Sequence, residues 1–191
     1  MACVHKFAIN NGEVKYSNRL LESLAYKKTL KDERLYPSFG TAATESNIFE
    51  RVSNLIKTKD HRDNTNVNVV PYSKDHLYAM TEITRISRLD PSDLSIMNTV
   101  NMANILPDLK SMIAHPHVET DGSWINCGTS NIKGKMYYTV VKHKVRDCKS
   151  AGEQVEVLAQ IPCTHSNGFG YFHSFGVKIL FKLRICFKEI L

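Results

Sequence analysis

Ile113-Ala114-His115-Pro116-His117-Val118-Glu119-Thr120-Asp121-Gly122 is the stretch on which the reading of this chain turns. An apolar run ends on a histidine, a rigid proline follows, and an Asp-Gly turn closes the segment. Proline cannot donate to a sheet ladder. By the two-residue period of a strand, Met112–Val118 read as one strand puts His117 on the same side as His115. Taken alone, the segment reads first as a buried histidine satisfied by a backbone carbonyl, because histidine is an ordinary residue of intermediate burial.

A second stretch has the same character. Gly170-Tyr171-Phe172-His173-Ser174-Phe175-Gly176 is an aromatic strand carrying one imidazole, which suits plain core as well as a dry metal pocket. A third, Leu77-Tyr78-Ala79-Met80-Thr81-Glu82-Ile83, is an apolar strand with a carboxylate near its end. A carboxylate beside an imidazole fixes its tautomer and strengthens it as a metal ligand. A glutamate at a strand end is equally ordinary on the surface.

Outward from these stretches the pattern is short strands separated by turns. Strands are expected at Val67–Val70, Leu77–Ile83, Ile86–Leu89, Asn98–Met102, Met112–Val118, Trp124–Gly128, Lys135–Val145, Gln154–Ile161 and Gly170–Val177. Asp90-Pro91-Ser92-Asp93, Asp121-Gly122, Lys133-Gly134 and Asn167-Gly168 punctuate them. Such spacing predicts a sandwich, barrel or propeller. At the start, Asn10-Asn11-Gly12-Glu13 between Val4–Ile9 and Val14–Tyr16 predicts a hairpin, since Asn and Gly accept positive φ. Arg19–Tyr26 has short helical spacing. Ser46-Asn47 caps a second apolar stripe of Ile48, Phe49, Val52, Leu55 and Ile56, the face of a helix packed on a sheet. The polar run from Lys57 to Asn66 reads as a loop, with His61 solvated.

The chain has 191 residues, 42% hydrophobic and 23% charged, which is ordinary globular composition and enough for one domain with its own core. No apolar run is long enough for a spanning helix, and the first residues lack a secretory core. Five cysteines, an odd number with no C-x-x-C spacing, point to reduced thiols in a cytoplasmic setting rather than to disulfides or zinc. The net charge of +6 comes from scattered lysines without interleaved aromatics, so nucleic acid is not an expected partner. Phosphate loops, nucleophile elbows and H-E-x-x-H helices do not occur.

Seven stretches, in order along the chain, carry a resemblance. They are Val4-His5-Lys6-Phe7 with Gly12 and Tyr16-Ser17-Asn18-Arg19; Phe39-Gly40-Thr41; Asn47-Ile48-Phe49-Glu50-Arg51; and Asp63-Asn64-Thr65-Asn66-Val67-Asn68. Tyr78-Ala79-Met80-Thr81-Glu82, Ala114-His115-Pro116-His117 with Asp121-Gly122, and Tyr171-Phe172-His173-Ser174-Phe175-Gly176 follow. Together they resemble the carotenoid cleavage oxygenase family, in particular its animal branch of oxygenases, isomerohydrolases and isomerooxygenases.

The resemblance implies a mainly β fold with one or two short helices: the first blades of a seven-bladed β-propeller, in one partial domain over residues 1–191. It implies a non-haem Fe(II) held by four histidines, with His115 and His173 matching the first two and Glu82 the carboxylate on the second. The other two histidines are expected in later blades, and the chain is expected to be truncated at both ends. Ala42–Ser46 lacks the family's proline-rich element, and residues 177–191 depart from its motif, as an aberrant tail would. The implied activity is cleavage of a polyene double bond, with a carotenoid or retinoid and O₂ as partners. Two histidines alone are expected to hold iron weakly and to leave this chain inactive. Two other readings stay open, a retinyl-ester isomerohydrolase and a non-catalytic β-rich binding protein. The loop Thr129–Tyr137, with Ile132, Met136, Lys133 and Lys135, matches a membrane-touching loop of the family, which would make the protein peripherally membrane-associated. Its two apolar side chains bury little area, so an ordinary hairpin end is the simpler reading.

Overall fold

A computed structural model describes residues 1–33, 63–72, 76–144, 154–164, 172–180 and 182–187. The expected helix at residues 48–56, His61 and part of the aromatic stretch before Phe172 lie outside these.

The N-terminal hairpin forms as the Asn-Gly pair predicts. Strands β1 (Cys3–Asn10) and β2 (Glu13–Leu20) pair antiparallel about Asn11 and Gly12. Both turn residues have positive φ, 47° and 84°, the left-handed geometry that matches strand twist. The expected helix over Arg19–Tyr26 is displaced. Arg19 and Leu20 complete β2, and helix α1 spans Leu24–Asp32. Two caps explain the shift. The Ser23 side chain accepts from the Tyr26 amide at 3.1 Å. Buried Asp63, far along the sequence, accepts from the amides of Leu24 (2.6 Å) and Ala25 (2.9 Å). Helix N-termini leave amides unpaired, and a carboxylate answers both that need and the helix dipole.

Two antiparallel meanders follow. The first sheet runs β3 (Asn68–Tyr72), β4 (His76–Met80), β5 (Arg85–Leu89) and β6 (Ile96–Asn101) in sequence order. The second contains β7 (Leu109–Met112), β8 (His117–Val118), β9 (Trp124–Ile132), β10 (Lys135–His143) and β11 (Val155–Pro162). There β7 and β8 both pair with β9, which pairs with β10 and then β11. Strands β12 (Phe175–Leu180) and β13 (Lys182–Phe187) form a further hairpin. Residues 177–180 and 182–187 of the stretch expected to be an aberrant tail lie in this ladder.

Alternation along the strands explains the stacking. In β4, Tyr78 and Met80 face one way and Leu77 and Ala79 the other, and both faces find partners. Tyr78 and Met80 join Val70, Tyr72, Ile86 and Met102 against Leu109, Met112, Ala114 and Trp124 of the second sheet. Ala79 and Leu89 pack against Ala2 and Leu21 of the N-terminal hairpin region. On the far face of the second sheet, Ile113, Ile125, Cys127, Tyr138 and Val140 pack against Phe172 and Phe175. The two sheets thus lie face to face, like successive propeller blades, with Ala2 and Leu21 packed on the far face of the first and Phe172 and Phe175 on the far face of the second. An aromatic triad pins the two sheets: Tyr72, Tyr78 and Trp124 meet edge to face at centroid distances of 4.9–5.7 Å. The Trp124 indole N–H donates to the Pro71 carbonyl at 2.7 Å.

The expected single strand Met112–Val118 is broken. β7 ends at Met112 and β8 begins at His117, with Ala114–Pro116 outside any ladder. Pro116 has no N–H to contribute, so the chain leaves the sheet at the histidine that precedes it. The β9–β10 loop is an exposed two-residue turn, with Lys133 at φ 50° and Gly134 at φ 80°. The Gly134 amide donates to the Asn131 side chain at 2.9 Å. Among the described residues no helix is long and apolar enough to cross a membrane.

Candidate metal centre

Three successive sheets bring the candidate residues to one corner. Asn68 opens β3 and Glu82 follows β4, both from the first sheet. His115 lies in the break between β7 and β8 of the second. His173 lies in extended chain just before β12 of the third. Each of these positions is at a strand terminus or an interruption, where a side chain is released from the ladder and can point at a common centre.

The imidazole rings of His115 and His173 come together, with centroids 4.4 Å apart and planes at 64°. His173 Nδ1 is hydrogen-bonded to Glu82 Oε1. Glu82 is 5% exposed, so its carboxylate is held within the fold. This bond fixes the His173 tautomer: Nδ1 carries the proton and Nε2 keeps the lone pair. His173 is itself anchored by buried aromatics on either side. Phe172 packs edge-on to Tyr138 at 5.4 Å, and Phe175 sits in the same cluster.

His115 is held differently. Asn68 Nδ2 donates to the Ala114 carbonyl at 2.9 Å and lies 3.3 Å from His115 Nδ1. His115 Nε2 is buried and has no hydrogen-bond partner. A buried polar atom without a partner is costly, and native folds explain each exception by an ion, a water or a functional role. Burial lowers the His115 pKa below the ordinary histidine value, and the neighbouring His173 adds to this, while Glu82 opposes it. Desolvation, the largest of these causes, disfavours the imidazolium and so favours the neutral ring, the form that donates a lone pair.

Asn68 lies in the Asp63–Asn68 stretch, and its contact with His115 has no local signature. The same stretch ties down the N-terminus through Asn64, whose side-chain oxygen accepts from the Ala2 amide at 2.7 Å. His117 does not share the centre. Its Nε2 bonds the Phe175 carbonyl at 2.7 Å, and the break at Pro116 removes the strand period that had placed it beside His115. Among the described residues no group of three or more His, Cys, Asp or Glu converges as a complete metal cage. Cys127 is buried, and burial pushes its thiol up to about 12, which makes it inert rather than a nucleophile.

Comparison with known proteins gives the family. The model of RPE65, described as retinal pigment epithelial membrane protein, matches residues 1–178. A carotenoid isomerooxygenase of Galleria mellonella is 32% identical over 181 residues, covering 92% of this chain and 35% of that protein. The beta,beta-carotene 15,15'-dioxygenase of Mus musculus is 31% identical over 190 residues, covering 93% and 33% respectively. Among solved structures, cobalt-substituted Synechocystis ACO has a TM-score of 0.64 at 19% identity, covering 92% of this chain and 35% of that one. A lignostilbene dioxygenase of Pseudomonas brassicacearum has a TM-score of 0.61 at 16% identity over 92% of this chain and 33% of its own. The chain spans about a third of the length of the curated relatives it matches. Its stacked sheets are the corresponding part of their β-propeller. With residues 1–178 of 191 inside one family match, the chain belongs to the RPE65 family of carotenoid oxygenases.

Proposed function

We propose that this chain carries part of the iron site of a non-haem Fe(II)-dependent oxygenase acting on a carotenoid or retinoid. His115 and His173 would each give one imidazole nitrogen, and Glu82 would orient His173. The observation that carries this reading is the convergence of the two rings at 4.4 Å, with Glu82 bonded to one of them and the buried Nε2 of the other lacking a hydrogen-bond partner. Neutral imidazole is a ligand type suited to iron. The carboxylate behind His173 is the partner that metal-bound histidines ordinarily have. The names of the relatives supply the substrate class, a carotenoid, and O₂ as co-substrate. The cobalt-substituted neighbour supports a divalent metal in this fold.

Bound iron would supply O₂ activation for addition across a conjugated double bond, which breaks to give two aldehydes. The part of this chain's own residues is preparatory. Glu82 keeps the proton of His173 on Nδ1. Burial favours the uncharged form of His115. The aromatic packing of Phe172 and Phe175 fixes where the second ring stands. Two imidazoles make half of the four-histidine set that the family resemblance implies, so weak metal binding and no turnover are expected of these 191 residues alone. Anaerobic titration of the chain with Co(II) or Fe(II) tests the site. One weak site, abolished in both His115→Ala and His173→Ala, is expected; metal uptake unchanged in the two variants would overturn the assignment. Tight stoichiometric iron with aldehyde formation by the 191-residue chain would overturn its incompleteness.

A further inference from the structure

His115 and His173 are close, yet no described ladder joins their segments. β7 and β8 pair with β9, and β12 pairs with β13. A direct polar tie between the two segments is made by His117. Its Nε2 lies 2.7 Å from the Phe175 carbonyl oxygen. A carbonyl only accepts, so His117 donates. The same ring stands edge-on to the Phe175 ring, with centroids 4.7 Å apart and planes at 79°.

The offsets match. His117 is two residues beyond His115, and Phe175 is two beyond His173. Two residues span at most about 7 Å whatever their conformation, so clamping 117 to 175 limits how far apart 115 and 173 can stand. The clamp sits where the backbone lacks its own: Pro116 has no amide, and β8 is only two residues long. His117 is exposed, so its ring fills no cavity. Its Nε2 is committed to the carbonyl, which sets it apart from His115, whose Nε2 has no partner.

We propose that His117 is a positioning residue that sets the separation of His115 and His173. It holds the second histidine's segment through one hydrogen bond and one ring contact. Its importance for metal binding rests on the iron-site reading above; its effect on the spacing does not.

The test uses the metal-free chain and three forms: wild type, His117→Ala and His117→Gln. The glutamine amide nitrogen falls near the position of Nε2 and can donate to the same carbonyl. Wild type should show a nuclear Overhauser cross-peak between the His115 and His173 rings. His117→Ala should lose it while keeping the wild-type unfolding midpoint, and His117→Gln should keep it. Titration with Co(II) should then show about 10–100-fold weaker binding in the alanine variant and near-wild-type binding in the glutamine variant. A cross-peak that survives in His117→Ala, or is missing from wild type, overturns the proposal. Loss of the cross-peak in His117→Gln also overturns it, and this arm decides the matter if the alanine variant does not fold. Failure of every form to bind Co(II) counts against the iron site alone, because the cross-peak still decides the role of His117.

Discussion

Gly128→Ala is the substitution whose cost follows most directly from the geometry. Gly128 lies in β9 opposite Met112 of β7, beside the register shift between Leu109 and Ser111. A Cβ at this position would lie 2.1 Å from the Ser111 carbonyl oxygen and 3.1 Å from both the Ser111 carbonyl carbon and Leu109 Cδ1. A Cβ essentially never stands closer than 3.0 Å to another heavy atom, so β7 has to retreat by about 1 Å. The nearest obstacle is backbone, which cannot rotate aside. A ladder bond of about 2.9 Å stretched by that much is no longer a hydrogen bond. Losing about two such bonds costs ~2 kcal/mol, and overpacking adds ~1–3 kcal/mol. The expected loss is about 3–5 kcal/mol, a large share of the ~5–15 kcal/mol that stabilises a domain. The chain has one tryptophan, Trp124, fully buried in the same strand, so its fluorescence reports urea unfolding at the right place. β7 leads directly into Ala114 and His115, so the substitution should also weaken the His115–His173 contact. A midpoint equivalent to less than about 1 kcal/mol of change would refute the placement of β7 on β9 and, with it, the route by which His115 reaches its position.

Glu82→Leu removes the acceptor of His173 Nδ1 and should weaken Co(II) or Fe(II) binding about 10–100-fold. Glu82→Gln, whose amide oxygen can still accept, should lose less, and wild-type affinity in the leucine variant would show the carboxylate to be idle. Asp63→Ala strips the acceptor from two amides at the start of α1 and should cost about 2 kcal/mol in urea unfolding. A change under about 0.5 kcal/mol would contradict the cap. Cys127 ties stability to alkaline pH. Its folded pKa of about 12 lies above the ordinary value of 9.0, so between these the unfolded chain releases a proton that the folded chain keeps. The thiol's contribution is therefore fully present below pH 9, and stability should fall through it by up to ~1.4 kcal/mol per pH unit as pH rises towards 12. Comparing the pH slopes of wild type and Cys127→Ala isolates this effect, and identical slopes would refute it.

Local chemistry made the hairpin and the meanders legible. Asn11-Gly12 needed only its own conformational freedom to name the first turn, and the apolar run Leu77, Tyr78, Ala79, Met80 marked a strand. Two features were hidden because their causes are distant in sequence. The helix after β2 starts at Leu24 rather than Arg19 because Asp63, thirty-nine residues beyond Leu24, caps it. Asn68 joins the candidate site only because β3 stacks beside the break at Ala114. The Met112–Val118 strand fails for a different reason: Pro116 removes a donor, so the two-residue period does not run through it and His117 does not stand beside His115.

That break shows the logic of the candidate site. A histidine inside a regular ladder is confined to one of two faces, and in stacked sheets both faces are occupied by the apolar contacts that hold the blades together. His115, Glu82 and His173 all escape this constraint. Glu82 lies past the end of β4, His115 sits at the proline break, and His173 precedes the first residue of β12. Each interruption forfeits a few ladder bonds of about 1 kcal/mol, and the flanking packing offsets the loss: Met80 on one side, Ile113 and Ala114 on another, Phe172 and Phe175 on the third. The buried residues beside each site residue are therefore the counterpart of its freedom from the ladder. Polar groups can converge at the corner of a propeller because the neighbouring positions in each blade are committed to apolar contact.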